Sequence, residues 1–285
     1  MNMNPNILLV ILGFVSLLSA CDLEQEVEIT LPDYDTRPVI EAYLEPGKPF
    51  RLLITRSDGY FDAFPSIDNF PGGLLYDSAR VSITHLGVTY DLDNQLAFDP
   101  TAGKLYNYIT SAIVPESIGE PFELYIQFPD GTEAFAETSL LSRVPIDSVV
   151  IEFPEGDMPE DTLARALTYF TDDPAQVNYY RRVLHAGSLD SLRQDFVADD
   201  QIVDDSLVVF GTGFDYAEGD TIINTLYHIT EPYATFLESL DAAVSANGNP
   251  FGQPSPIISN IEGSANALGV FTGLVYDRRV DIVGK

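Results

Sequence analysis

One cysteine, three histidines and no tryptophan stand among 285 residues. A lone thiol excludes an internal disulfide and a thiolate metal cage, each of which needs a second sulfur. His85, His185 and His228 are far apart in sequence, and His85 and His185 fall in strand-like stretches as lone sheet residues. No His-Glu-x-x-His pair, Gly-x-Ser-x-Gly elbow or phosphate loop is present. Gly211-Thr212-Gly213 does not extend into a dinucleotide fingerprint. The chain therefore reads as non-enzymatic. Cations are scarce as well: 14 Lys and Arg face 44 Asp and Glu, a net charge of -30. Residues 21–144 carry -14 of it and residues 145–285 carry -16, so the excess is spread over the chain and not held in a tail. Such a surface repels phosphate backbones and excludes nucleic acid as a partner.

Long apolar runs are missing too. The stretch Ile7 to Leu18, ILLVILGFVSLL, is shorter than the roughly 20 residues that a membrane-spanning helix needs. Its length fits the apolar region of a secretory signal, and the small residues Ser19 and Ala20 follow it. The order Leu18-Ser19-Ala20-Cys21 resembles the lipobox of bacterial lipoproteins, in which the cysteine becomes the first mature residue and carries lipid. Residues 1–20 are thus expected to be a lipoprotein signal peptide, and Cys21 the lipidation site. Two acyl chains, at about 0.8 kcal/mol per buried methylene, suffice to hold a body on a membrane. Residues 21–36 read as an acidic tether ending in Pro32-Asp33-Tyr34-Asp35.

Strand signals follow. Pro38–Glu45 and Phe50–Thr55 alternate apolar and polar residues around Glu45-Pro46-Gly47-Lys48-Pro49, a hairpin pattern. Val81–His85 and Val88–Leu92 flank Leu86-Gly87. Phe122, Leu124, Ile126 and Phe128 alternate strictly, and Pro129-Asp130-Gly131 turns the chain into Glu133–Thr138. This spacing predicts a mainly β protein: an Ig-like β-sandwich over 37–144, then a second β-rich domain over 145–285. In the latter, Val149–Phe153, Leu163–Thr171 and Asn178–Ala186 read as strands. Tyr233, Phe236, Leu237, Leu240, Ala243 and Val244 recur at helical spacing after Thr230 and Pro232, and Asn247-Gly248 can end that helix.

Two stretches stand out as candidate sites. Tyr60–Tyr76, YFDAFPSIDNFPGGLLY, is a long loop between predicted strands. Its Tyr60, Phe61, Phe64, Phe70 and Tyr76 suit either an interaction surface or a lid folded over the sandwich. Asp199-Asp200, Asp204-Asp205 and Asp91-x-Asp93 could offer oxygens to Ca²⁺, yet none has the glycine and terminal glutamate of a calcium loop. No metal or cofactor is expected beyond the covalent lipid.

Asn178-Tyr179-Tyr180-Arg181-Arg182-Val183 forms one further motif. Asn249-Pro250-Phe251-Gly252-Gln253-Pro254, Ser259-Asn260-Ile261-Glu262-Gly263 and Leu268-Gly269-Val270-Phe271 form another. The prolines, glycines and asparagines of the second read as backbone architecture. With Thr30-Leu31-Pro32, Leu53-Ile54-Thr55-Arg56 and Gly219-Asp220-Thr221-Ile222, these segments resemble domain-of-unknown-function family 4249, lipoproteins of Bacteroidota. The family commonly has a further glycine after Glu262-Gly263, where this chain has Ser264-Ala265-Asn266-Ala267.

The resemblance implies a two-domain β-rich lipoprotein on the outer membrane, facing the cell exterior and working with a TonB-dependent transporter barrel on an unspecified cargo. The acids after Cys21 resemble the signal that sends such lipoproteins to the surface. The alternative expectation is a freestanding adhesin or glycan-binding module, for which the missing tryptophan removes the broadest sugar platform.

Overall fold

Glu45-Pro46-Gly47-Lys48 folds Pro38–Leu44 (β1) back on Pro49–Arg56 (β2), with Ile40 opposite Ile54 and Ala42 opposite Leu52. The alternation in the sequence becomes an alternation of burial: Ile40, Ala42, Leu44, Phe50, Leu52 and Ile54 are all turned inward and sealed from water. At about 1.5–3 kcal/mol for each large apolar side chain buried, this row is the main force holding the hairpin in place. The computed structural model describes residues 35–57, 73–100, 103–154, 162–200, 206–246 and 255–284. The expected signal peptide, Cys21 and nearly all of the tether lie outside the described residues. From Thr36 onward the chain forms one compact unit.

Thirteen further strands and one helix follow among the described residues. Arg80–His85 (β3), Val88–Asp99 (β4), Lys104–Ile113 (β5), Pro121–Gln127 (β6) and Glu133–Ser139 (β7) come first. Then come Ile146–Glu152 (β8), Arg165–Thr171 (β9), Tyr179–Ala186 (β10), Leu192–Asp199 (β11), Leu207–Gly211 (β12) and Thr221–Ile229 (β13). The helix Glu231–Ala246 (α1) precedes Leu268–Gly273 (β14) and Val275–Ile282 (β15). The protein is mainly β, as expected, and no helix among the described residues is long and apolar enough to cross a membrane.

Eight strands form one sheet in the order β14-β1-β2-β5-β4-β3-β6-β7. Strand β4 belongs to both halves of it. Its residues up to Leu92 pair with β3, and from Asp93 on it pairs with β5, with an irregularity between Asn94 and Ala97. The halves share one core, in which Val81, Ile83, Phe122, Leu124 and Ile126 meet the inward row of β1 and β2.

The gap between the outer strands β7 and β14 is closed by residues 259–266. Glu262 exchanges both backbone hydrogen bonds with Phe135 of β7. On the other side Asn260 imitates a neighbouring strand with its side chain. Its Oδ1 accepts from Phe271 N at 2.9 Å, and its Nδ2 donates to Phe271 O at 2.7 Å. Two glycines allow this closeness. Gly263 (φ 122°) and Gly269 (φ 125°) occupy backbone space where a methyl group would collide with the carbonyl oxygens of Glu133 and Ile40. Asn266, in the segment where the family commonly has a further glycine, also takes a left-handed φ of 48°, a conformation asparagine tolerates.

The expected divide near residue 145 is crossed here, because β14 joins the first sheet in parallel with β1. The remaining strands form a four-stranded sheet, β11-β10-β13-β15, and a three-stranded one, β12-β9-β8. Ala164, Ala166, Leu184 and Ile222 share one buried cluster between them, and Phe170, Tyr180, Val208 and Leu226 share another. The helix starts where expected, with Thr230 O accepting from the amides of Tyr233 and Ala234. Its buried side chains are Tyr233, Ala234, Phe236 and Ser239, whereas Val244 is 65% exposed. The apolar stripe read from Tyr233 to Val244 is therefore buried only in its first half. Asn247-Gly248 lies outside the described residues.

Candidate functional site

Alternate residues of β10 face opposite ways, and pairing across the four-stranded sheet turns that alternation into rows. On one face Arg181 lies beside Tyr227, which lies beside Tyr276, and Val183 beside Thr225, which lies beside Arg278. Strand β11 adds Asp195 next to Val183. This face is the floor of an open cleft of 470 Å³, within the range of small-molecule sites. Helix α1 supplies one wall through Tyr233, Phe236, Leu237 and Leu240. Further lining comes from the first sheet and its β1–β2 turn through Tyr43, Glu45, Lys48, Asp99, Lys104 and Tyr106.

Tyrosines and cations are interleaved along this lining. The Lys104 ammonium lies 4.1 Å from the centre of the Tyr43 ring, and the Arg51 guanidinium lies 4.3 Å from that of Tyr106. Arg278 stands 4.9 Å from the Tyr276 ring, and Tyr276 is 5.1 Å from Tyr227, tilted at 52°. Such contacts hold aromatic faces in place at roughly 0.5–2 kcal/mol each. Burial raises the hydroxyls of Tyr43, Tyr106 and Tyr227 and pushes Tyr233 up to about 12, so all four remain neutral phenols that can donate and accept. Burial, then the nearby Arg278 charge, lowers His185, which leaves its imidazole neutral.

The acids of the cleft are already engaged. Asp195 holds Arg181 through two bonds, Nε to Oδ1 at 2.8 Å and Nη2 to Oδ2 at 2.5 Å, and Arg181 Nη1 donates to the Tyr233 hydroxyl at 2.8 Å. Burial opposes the Arg181 charge, yet these bonds keep its pKa above the ordinary arginine value. Arg51 bridges Asp99 at 2.7 Å and Glu45 at 3.4 Å. Lys104 pairs with Glu41 at 3.5 Å. Arg278 donates from Nε to Thr225 Oγ1 at 2.9 Å, and it has no carboxylate partner among the described residues. The site can grip a ring-bearing molecule and hydrogen-bond it. Among the described residues no group of three His, Cys, Asp or Glu side chains converges as metal ligands.

The opposite face of β10 is turned into the core. Arg182 is wholly buried, donating to Gly211 O at 3.2 Å and Asn224 Oδ1 at 3.4 Å, with Nη2 unpartnered among the described residues. Burial drives its pKa down to about 10, so it still carries charge at neutral pH. At the start of the strand Asn178 is a hub. Its Nδ2 faces Asp172 Oδ1 at 2.9 Å, Asp173 O at 3.1 Å, and Gln176 O and Asp200 Oδ2 at 3.2 Å. The Tyr180 hydroxyl donates to Asp172. Both ring nitrogens of His228 face oxygens, Nδ1 that of Ser142 at 3.0 Å and Nε2 that of Asn178 at 3.2 Å. Burial and the facing Asp200 raise the Asp172 carboxyl, although the Tyr180 bond opposes this. Burial would raise Asp200 as well, but hydrogen bonds from Asp172 and Asn178 keep it below the ordinary carboxylate range.

The two motifs singled out in the sequence are thus divided by role. Arg181 lines the cleft, Tyr179 packs against the apolar cluster that contains Tyr233, and Asn178 and Tyr180 build the buried network. Asn260, Ile261, Glu262, Gly263 and Phe271 close the first sheet. Asn249, Pro250, Phe251 and Pro254 lie outside the described residues. So do Tyr60, Phe61, Phe64 and Phe70 of the aromatic loop. Its described aromatic, Tyr76, folds back edge-on to Phe128 at 5.2 Å beneath Arg56 at 3.7 Å. His85 stacks on Phe122 at 3.8 Å as a sheet residue, and Asp199-Asp200 ends β11 and leads into the Asn178 hub.

Sequence reading missed Tyr43, Tyr106, Tyr227, Tyr276 and Arg278, which come together from strands distant in the chain. The only local trace was the alternation Tyr276-Asp277-Arg278 and Arg181-Arg182-Val183, which sets each cleft residue next to one facing away. No curated protein matches the chain. The family described as Domain of unknown function (DUF4249) matches residues 24–279, so the chain belongs to that family.

Proposed function

We propose that this protein is a non-enzymatic, lipid-anchored lipoprotein of the outer membrane, exposed to the cell exterior, which captures a solute for a TonB-dependent transporter barrel. The observation that carries the reading is the 470 Å³ cleft, lined by tyrosines and paired charges and therefore suited to hold a molecule. The lone Cys21 behind a short apolar run supplies the anchor, and the acidic stretch after it supplies reach. Purification of the tagged full chain from outer membranes tests the reading. Recovery of a transporter barrel with it is the expected result, and repeated recovery without any barrel overturns the accessory role. An unacylated thiol in the intact mass would remove the anchor.

The same tyrosine lining favours a second reading, a freestanding adhesin or glycan binder. Binding of the full chain to a glycan array at useful affinity, with no barrel present, would select it.

A further inference from the structure

We propose that the cleft takes a small organic anion, a carboxylate carried on an apolar ring or short chain. This rests on the capture reading above and names the class of solute. The first ground is charge. The lining holds four Lys and Arg against three Asp and Glu, in a chain with 14 against 44. A cleft built for a cation would leave its acids free. Here Asp195 is bound by Arg181, Asp99 and Glu45 by Arg51, and Lys104 is matched by Glu41.

What is left over is positive. Arg278 and Lys48 have no ion-pair partner among the described residues, and Arg278 is fixed by Thr225 and Tyr276 with its two terminal nitrogens unbonded there. A guanidinium held this way is preorganised for a carboxylate, which accepts two parallel N–H bonds. The second ground is the apolar wall. Leu192 and Leu240 line the cleft yet remain 57% and 37% exposed, beside Phe236 and Leu237. A bound ring or chain would cover them while its acid group reaches Arg278. The surrounding charge of -30 repels anions elsewhere on the surface, which confines such a ligand to this spot.

The test uses the full lipoprotein in phosphatidylcholine nanodiscs, titrated by calorimetry with 2-naphthoate and its uncharged counterpart 2-naphthamide, empty nanodiscs serving as the blank. The acid should bind about tenfold or more tighter than the amide, the worth of one charge-assisted contact. Arg278→Gln should level the two, Lys48→Gln should narrow the gap, and Tyr227→Ala should weaken both probes. An amide that binds as well as the acid overturns the anion inference but leaves the cleft as a capture site. An unchanged gap in Arg278→Gln overturns it equally, provided the variant melts like the parent. If neither probe binds, the inference falls, while the transporter reading is still decided by recovery of the barrel.

Discussion

Arg181 and Arg182 are neighbours in sequence and opposites in setting. Arg181 lies in a cleft, held by Asp195 and the Tyr233 hydroxyl and capped by no core. Arg182 is buried between two sheets with only a carbonyl and an amide oxygen to meet five N–H groups. Strand alternation alone separates them. The lesson is that one face of β10 is built into the core and the other lines the cleft, so substitutions one residue apart should act on different observables.

The largest effect is expected at the inner face. Arg182→Ala leaves a cavity and two unmet acceptors and should cost about 3–5 kcal/mol in denaturant unfolding. Arg182→Met keeps the volume and removes the buried charge, so it should cost less than half as much. A smaller loss, about 1–2 kcal/mol, is expected for Arg181→Met, because Asp195 loses its partner in a half-exposed site where water can compensate. Equal losses at 181 and 182 would erase the distinction between the faces.

A third measurement sharpens the inner side. The Asp172 carboxyl is raised in the fold, so its contribution is present below the ordinary value of 3.8 and fades as pH rises through the raised value. Asp200 is lowered, so its contribution fades only as pH falls through the depressed value. Asp172→Asn fixes the proton-bearing shape. It should flatten melting temperature against pH above 3.8, with a gain in stability at neutral pH. A steeper profile in the variant would contradict the arrangement. The smallest stability effect belongs to Arg278→Gln on the outer face, within about 0.5 kcal/mol by thermal melting, since its loss should register in binding instead.

What could be read from the sequence was local. Glu45–Pro49 and Leu86-Gly87 announce hairpins because turn chemistry and flanking alternation agree, and both hairpins formed. Strands β5, β11, β12, β13, β14 and β15 escaped notice, since Lys104–Ile113 buries three consecutive residues and Val275–Ile282 mixes charge with apolar residues, so neither shows a clean period. Strand β4 ran seven residues past the expected Leu92, because pairing with β5 and not local pattern extends it. The roles of Gly263 and Gly269 as places of close backbone approach were legible as a residue type, but their partners, Glu133 and Ile40, were not. The cleft was invisible for the same reason. Tyr43, Tyr106, Tyr227 and Tyr276 meet only after the chain has placed two sheets and a helix around them.

The pairing of β14 with β1 has a consequence for how this polypeptide must be made. More than two hundred positions separate the two partners, and the Asn260–Phe271 clasp depends on the same late stretch of chain. Until that final segment emerges, the first hairpin has an open flank and its sheet has no seal. Contacts this remote in sequence form slowly. A chain cut short before Leu268 would therefore keep a pliant, unsealed first sheet, and the body locks only once β14 is there to cover it.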